Sequence, residues 1–335
     1  MHYYALTNAV RSGDLKKVQE LLQKYEYPGI TKSEALANAI KLRKIQIMKV
    51  LLEAKTKPTD VAIFKAIEFG TLEDLQSLIQ WGGSINAIDC LLGTTLHAAA
   101  YNGKFDMIKY LVNSGVEQMP NGKTKWTPLH AVLYLENGFR VKEDLATRIA
   151  MFLIHKGADL NAKDSNGATP ISCAIALENS YLVQTLIDLG AKFKEPGYHE
   201  AIFSSIKNKS STRIFEILMQ NGLDINQKYE HSSNHFTLLH LAVSVRNLNV
   251  IKILIGNGVN INEKNDKFQT PLHKIFDDKS SGKPQSKTLQ ELIRTEIAKI
   301  LITHGADIES KNSKNYTIHH YIWPHSMVSL KLQSY

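Results

Sequence analysis

TTLHAAAYNGKFDMIKYLVNSG, residues 94–115, decides how the rest of the chain is read. It opens on a threonine, runs through two apolar stretches split at Asn102-Gly103, and ends on Gly115. Its closing string, L-x-x-x-G, recurs as LIQWG at Gly82, LIHKG at Gly157, LIDLG at Gly190, LMQNG at Gly222, LIGNG at Gly258 and LITHG at Gly305. With Gly115 included, the spacings are 33, 42, 33, 32, 36 and 47 residues. That is one unit with insertions, and internal repetition at this period identifies a stacked-repeat architecture. The opening string returns as TPLH at Thr127, TPIS at Thr169, TLLH at Thr237 and TPLH at Thr270. Thr to Gly is 21 residues in three units, 30 after Thr127 and 35 after Thr270. The two long units therefore carry insertions between their helices, near 135–145 and 277–292. Gly222 to Thr237 is 15 residues where 12 is usual, so QKYEHSSNHF forms a longer turn.

TTLHAAAYNGKFDMIKYLVNSG (94–115), GADLNAKDSNGATP (157–170) and TLLHLAVSVRNLNVIKILIGNGVNIN (237–262) resemble the ankyrin-repeat family. The resemblance implies an all-α solenoid of antiparallel helix pairs joined by short β-hairpin fingers. Extending the register gives further units at Tyr4–Tyr25, Glu34–Lys55 and Val61–Gly82 and a degenerate one at 201–222. About nine helix pairs and a C-terminal fragment are predicted, as a single array over 1–335. Residues 1–60 are expected to form degenerate N-terminal capping units, 61–310 the main repeats, and 311–335 a partial C-terminal cap. The early unit spacings shrink to 30 and 27, which predicts tight loops in place of fingers. Each unit alone cannot bury its apolar face, so stability sums over units and their interfaces.

Composition agrees with a folded chain: 43% of residues are hydrophobic and 21% charged. The net charge of +8 is uneven, +5 over 1–60, −3 over 61–120, 0 over 121–200 and +6 over 201–335. This excess is modest for a nucleic-acid binder, which usually clusters its charge. No apolar run approaches the ~18 residues of a membrane span. The opening MHYYALTNAVRSGDLKK lacks the layout of a secretory signal. Cys90 and Cys173 cannot make a disulfide framework, and a reducing, cytoplasmic setting is expected.

Thirteen histidines invite a metal or catalytic reading. His97, His130, His240 and His273 hold the fourth position of the Thr-x-x-His slot, and His320 matches it. In the family that histidine bonds to the threonine and nearby backbone, which makes these structural. No Cys or second His pair lies at ligand spacing, so no metal site is expected. A reactive thiol needs a nearby base, and neither cysteine has one in this register. The chain is expected not to be an enzyme, and no cofactor is implied. Asn161 and Asn226 end LIHKGADLN and LMQNGLDIN, which resemble the pattern an animal asparaginyl hydroxylase accepts in this family. Possible hydroxylation there competes with a structural role, since this asparagine steadies the finger in most repeats.

Arrays of this family bind partners through finger tips and the exposed face of the first helices. Counted from each threonine, the outward positions include Leu91, Tyr101, Asn102, Lys123, Trp126, Tyr134 and Phe236. Tyr101, Trp126, Tyr134 and Leu91 gather on two adjacent units, and a solvent-facing aromatic cluster is costly unless covered. The competing reading folds the inserted LENGFRVKEDLA back over these rings. The function that emerges is a protein–protein scaffold or adaptor, expected to be monomeric. The Lys-, Asn- and Ile-rich composition and stand-alone array are similar to ankyrin effectors that intracellular bacteria inject into host cells, where the partner would be a host protein. An alternative is a recognition or regulatory module of an enzyme whose catalytic part lies outside this chain, because the sequence stops partway into a tenth unit. A third is nucleic-acid binding through the basic ends, which would show steep salt dependence.

Overall fold

The computed structural model describes residues 3–119, 125–133, 143–193, 199–208, 212–231, 234–276 and 287–321. The chain divides into two compact units, 1–173 and 174–335. In the first, helices come in pairs: α1 (Tyr3–Ser12) with α2 (Leu15–Lys24), α3 (Gly29–Lys41) with α4 (Ile45–Glu53), and α5 (Asp60–Phe69) with α6 (Leu72–Gln80). Then follow α7 (Thr95–Tyr101) with α8 (Phe105–Asn113), and α9 (Pro128–Leu133) with α10 (Glu143–His155). First helices stack in the order α1–α3–α5–α7–α9, and α2 meets α4 as α6 meets α8. Two helical layers result. The first helices carry alanine on their packed faces, and the later ones are short, seven residues in α7 and six in α9; in α7 every residue from Thr95 to Ala100 is buried. Small side chains let neighbouring backbones approach, while second helices bury one stripe and solvate the other. α2 shows the latter, with Val18 fully buried and Lys16, Lys17 and Glu20 in solvent.

The recurring glycine ends each second helix. All seven, from Gly82 to Gly305, have φ between 76° and 93°. This is the left-handed cap that glycine adopts without a Cβ penalty. At Gly115 the closing bonds are Gly115 N–H to Val112 O (3.1 Å) and Val116 N–H to Leu111 O (3.1 Å). Between α6 and α7 an antiparallel hairpin, β1 (Ile88–Asp89) and β2 (Gly93–Thr94), makes one finger. Only loops precede α3 and α5.

The division falls within α11 (Pro170–Ala176), and the second unit continues with α12 (Ser180–Asp188), α13 (His199–Asn208) and α14 (Arg213–Gln220). After a second hairpin, β3 (Tyr229–His231) with β4 (Asn234–Phe236), come α15 (Leu238–Ser244), α16 (Leu248–Gly256), α17 (Pro271–Lys274) and α18 (Lys287–Thr303). One turn of 3-10 helix, Ile318–His320, opens the tenth unit. The insertions have a partly helical fate: α10 has 13 residues and α18 has 17, where the other second helices have 8 to 10. Their remaining parts, 134–142 and 277–286, lie outside the described residues.

The slot histidines join each unit to the next. Thr94 donates from N–H (3.3 Å) and hydroxyl (2.8 Å) to His97 Nδ1, while His97 Nε2–H reaches the Trp126 carbonyl at 2.9 Å. The same reach takes His130 to Ala168 (3.2 Å), His240 to Gln269 (2.9 Å) and His273 to Tyr316 (3.2 Å). Each acceptor is the residue just before the next unit's threonine. The carbonyl fixes the proton on Nε2 and leaves Nδ1 to accept. Burial holds all four rings below the usual histidine pKa, and His240 is pushed down to about 4. In TPIS, Ser172 fills the slot; its hydroxyl accepts from Thr169 N–H at 2.8 Å and donates back to Thr169 O. The cap survives there without the longer reach.

Candidate functional site

The surface of interest begins at the first finger. Asp89 Oδ1 accepts from Leu91 N–H (2.8 Å) and Leu92 N–H (2.9 Å), which bends the chain so that Cys90 and Leu91 form the tip. Thr95 hydroxyl donates to Ile85 O at 2.7 Å and pins the finger base to α7. Leu92 then packs against the core, whereas Leu91 is left 83% exposed and Ile88 69%. Tyr101, the last residue of α7, adds an aromatic ring 38% exposed. These three apolar side chains are held by a hairpin and the helix that follows it, so they are preorganised.

The remaining predicted positions divide. Asn102 caps α7, its side-chain amide donating to Ala98 O at 2.8 Å, so it is spent on the helix end. Trp126 is half-buried and its carbonyl is held by His97. Lys123 and Tyr134 lie outside the described residues, as does most of the insertion once weighed as a cover. Phe236 does not face outward. It is 9% exposed, with its ring 5.4 Å from Phe203. The reason lies in the degenerate unit before it, where Ser204 stands in the histidine slot. A cluster of His199, Phe203, Tyr229 and Phe236 packs in place of a histidine bond, with His199 and Tyr229 rings 4.6 Å apart.

Asn226 is exposed, and its side-chain oxygen accepts from Asn260 N–H at 2.7 Å in the next unit. Asn161 is half-buried, with its N–H on Asp159 Oδ1 at 2.8 Å. Cys90 is exposed and Cys173 buried. Ile88 was not read from the sequence, because a two-residue strand offers no alternation to detect. An acceptor five residues before four of the threonines was also overlooked. Asp89, Asp164, Asn265 and Asn312 all occupy it, and each takes two backbone N–H groups of its finger. Their recurrence at one repeat position was the available signal.

Comparison with known proteins agrees with this architecture. A model of ankyrin repeats (3 copies) matches residues 63–142 and 199–281, and an ankyrin repeat model matches 124–165. The chain belongs to the ankyrin-repeat family. Such repeats are generally protein–protein interaction modules. Over 110 residues the chain is 33% identical to ankyrin repeat and SOCS box protein 5 of Oryctolagus cuniculus, covering 33% of this chain and 30% of that protein. It is 31% identical over 114 residues to protein phosphatase 1 regulatory subunit 27 of Mus musculus, covering 34% of this chain and 68% of that one. The crystal structure of the human ASB11 ankyrin repeat domain superposes with a TM-score of 0.55 at 23% identity, over 71% of this chain and 96% of that one. The chain spans a fifth or less of several curated relatives it matches. Among the described residues no helix is long and apolar enough to cross a membrane.

Proposed function

We propose that this chain is a protein-binding adaptor whose partner seats on the first finger and the exposed end of α7. The carrying observation is the rigid apolar edge of Ile88, Leu91 and Tyr101, all in solvent. Exposed apolar edges of this kind are costly unless something covers them, and aromatic anchors dominate interface energies. Trp126, with Lys123 and Tyr134 beside it in sequence, extends the proposed surface. The similarity to a phosphatase regulatory subunit and a SOCS box protein supports a regulatory or adaptor role. A host protein as partner is supported by the effector-like composition, and hydroxylation by the exposure of Asn226. A second reading, a recognition module serving an enzyme, is supported by the similarity to part of a putative palmitoyltransferase of Danio rerio.

Affinity capture from eukaryotic lysate tests the adaptor reading, comparing wild type with Leu91→Ala/Tyr101→Ala. A protein retained by the wild type and lost by the folded double variant is the expected result. The same capture by both would remove the finger edge as the site. Binding that collapses steeply with salt, with nucleic acid in the eluate, would overturn the protein-partner reading.

A further inference from the structure

Six Asn-Gly pairs punctuate the sequence, and four of them, at Asn102, Asn166, Asn221 and Asn257, lie among the described residues. In such a pair the glycine nitrogen can approach the preceding side chain with no Cβ in the way. All four glycines are left-handed, with φ of 63°, 79°, 85° and 76° in chain order. Each also donates its N–H to a carbonyl. Gly103 reaches Ala100 (3.1 Å), Gly167 reaches Asp164 (3.1 Å), Gly222 reaches Met219 (3.0 Å) and Gly258 reaches Ile255 (3.0 Å). The nitrogen is therefore restrained alike at every pair, but the side-chain amides differ. Asn102, Asn221 and Asn257 donate Nδ2 to the Ala98, Ile217 and Ile253 carbonyls, each at 2.8 Å. That bond closes a helix end and fixes the amide. Asn166 lies instead in the turn between α10 and α11, where its backbone N–H goes to Asp164 Oδ1 at 2.7 Å. Its side-chain amide makes no hydrogen bond among the described residues. Exposure does not separate the cases, since Asn257 is exposed as Asn166 is.

We propose that Asn166 is a site of self-modification, at which the Gly167 nitrogen attacks the Asn166 side-chain carbonyl carbon. The N–Cγ bond forms as the Cγ–Nδ2 bond breaks, and Nδ2 leaves as ammonia with the proton that Gly167 gives up. Water then opens the resulting cyclic imide at one carbonyl or the other, leaving aspartate or isoaspartate. The attack requires the Gly167–Asp164 bond to open, a local event of the kind exposed turns undergo. The products bear on the fold, because Asp164 holds this turn together. Its Oδ1 also accepts from Ala168 N–H at 2.8 Å, and its own N–H donates to Ala168 O at 2.9 Å. The same Ala168 carbonyl accepts from His130, the link from the preceding unit. Isoaspartate lengthens the backbone by a methylene inside this bonded loop. Either product adds a carboxylate near Asp164, whose Oδ2 is buried with no hydrogen-bond partner among the described residues. Like charges disfavour one another there, so modification loosens the turn and the His130 link together.

The test stores the full chain in mildly alkaline buffer, one sample folded and one in urea. Peptide mapping that separates aspartate from isoaspartate then follows each Asn-Gly pair. In urea all four asparagines should convert at similar rates, since each precedes glycine. In the folded chain Asn166 should convert roughly two- to tenfold faster than Asn102, Asn221 or Asn257, the factor that one hydrogen bond supplies. Stored wild type should also lose protection from amide exchange at residues 164–168, and stored Asn166→Ser should keep it. Conversion of Asn257 as fast as that of Asn166 would overturn the proposal, because a free amide would not then select the site. An Asn166 that stays intact in the folded chain while it converts in urea would overturn it too. Equal loss of protection in stored Asn166→Ser would overturn the claimed effect on the turn.

Discussion

At the scale of single residues, the buried histidines link stability to acidity. His97, His130, His240 and His273 are neutral donors in the folded chain, and burial holds their pKa values below the usual histidine value of about 6.5. The unfolded chain takes up protons first, so stability is full above about pH 6.5 and falls as pH drops towards the folded values. For His240 the loss runs from about 6.5 to about 4 and amounts to the order of 3 kcal/mol. Urea midpoints measured from pH 7.5 to 4 should decline through that window, and His240→Ala should flatten the decline. That variant should also lose about 2–4 kcal/mol at pH 7.5, since it leaves a cavity and strands the Gln269 carbonyl. A contrasting residue is Phe268, 59% exposed with φ 55°, where an L-residue is strained. Phe268→Gly should raise stability by about 0.5–1 kcal/mol in the same urea experiment, relief of strain outweighing the added flexibility of the unfolded chain.

At the scale of elements, four fingers each turn on one side-chain acceptor, buried at Asp164, Asn265 and Asn312 and half-buried at Asp89. Asn265 is 4% exposed, and its side-chain oxygen takes the N–H groups of Lys267 (2.9 Å) and Gln269 (2.9 Å). Asn265→Ala should cost about 1–2 kcal/mol and speed amide exchange through residues 264–269, as measured by hydrogen exchange. Helix pairs were legible because threonine and glycine mark their starts and ends chemically, one as a cap and the other as a left-handed stop. Phe236 was misplaced because counting from Thr237 assumes that every preceding unit carries a histidine. Ser204 breaks that assumption and an aromatic cluster replaces the bond. The helical share of the insertions was not legible either, since no glycine or proline separates KTLQELIRT (287–295) from the rest of α18.

At the scale of the whole molecule, repetition makes surface and stability separable. Units contribute through neighbours, so exposed finger residues can change without unfolding the array. Leu91→Ala/Tyr101→Ala should therefore shift stability by no more than about 0.5 kcal/mol in urea while abolishing partner capture. The central claim is where the partner sits, and the chain's two cysteines allow a direct test. Cys90 is exposed at the finger tip and Cys173 is buried, so a maleimide photo-crosslinker should attach at Cys90 alone. Irradiation in lysate should join the captured partner to the finger tip. The matching control carries Cys90→Ser and Lys109→Cys, which moves the label to α8 on the second-helix layer, and it should give no such product. A partner crosslinked from α8 and never from Cys90 would contradict the account.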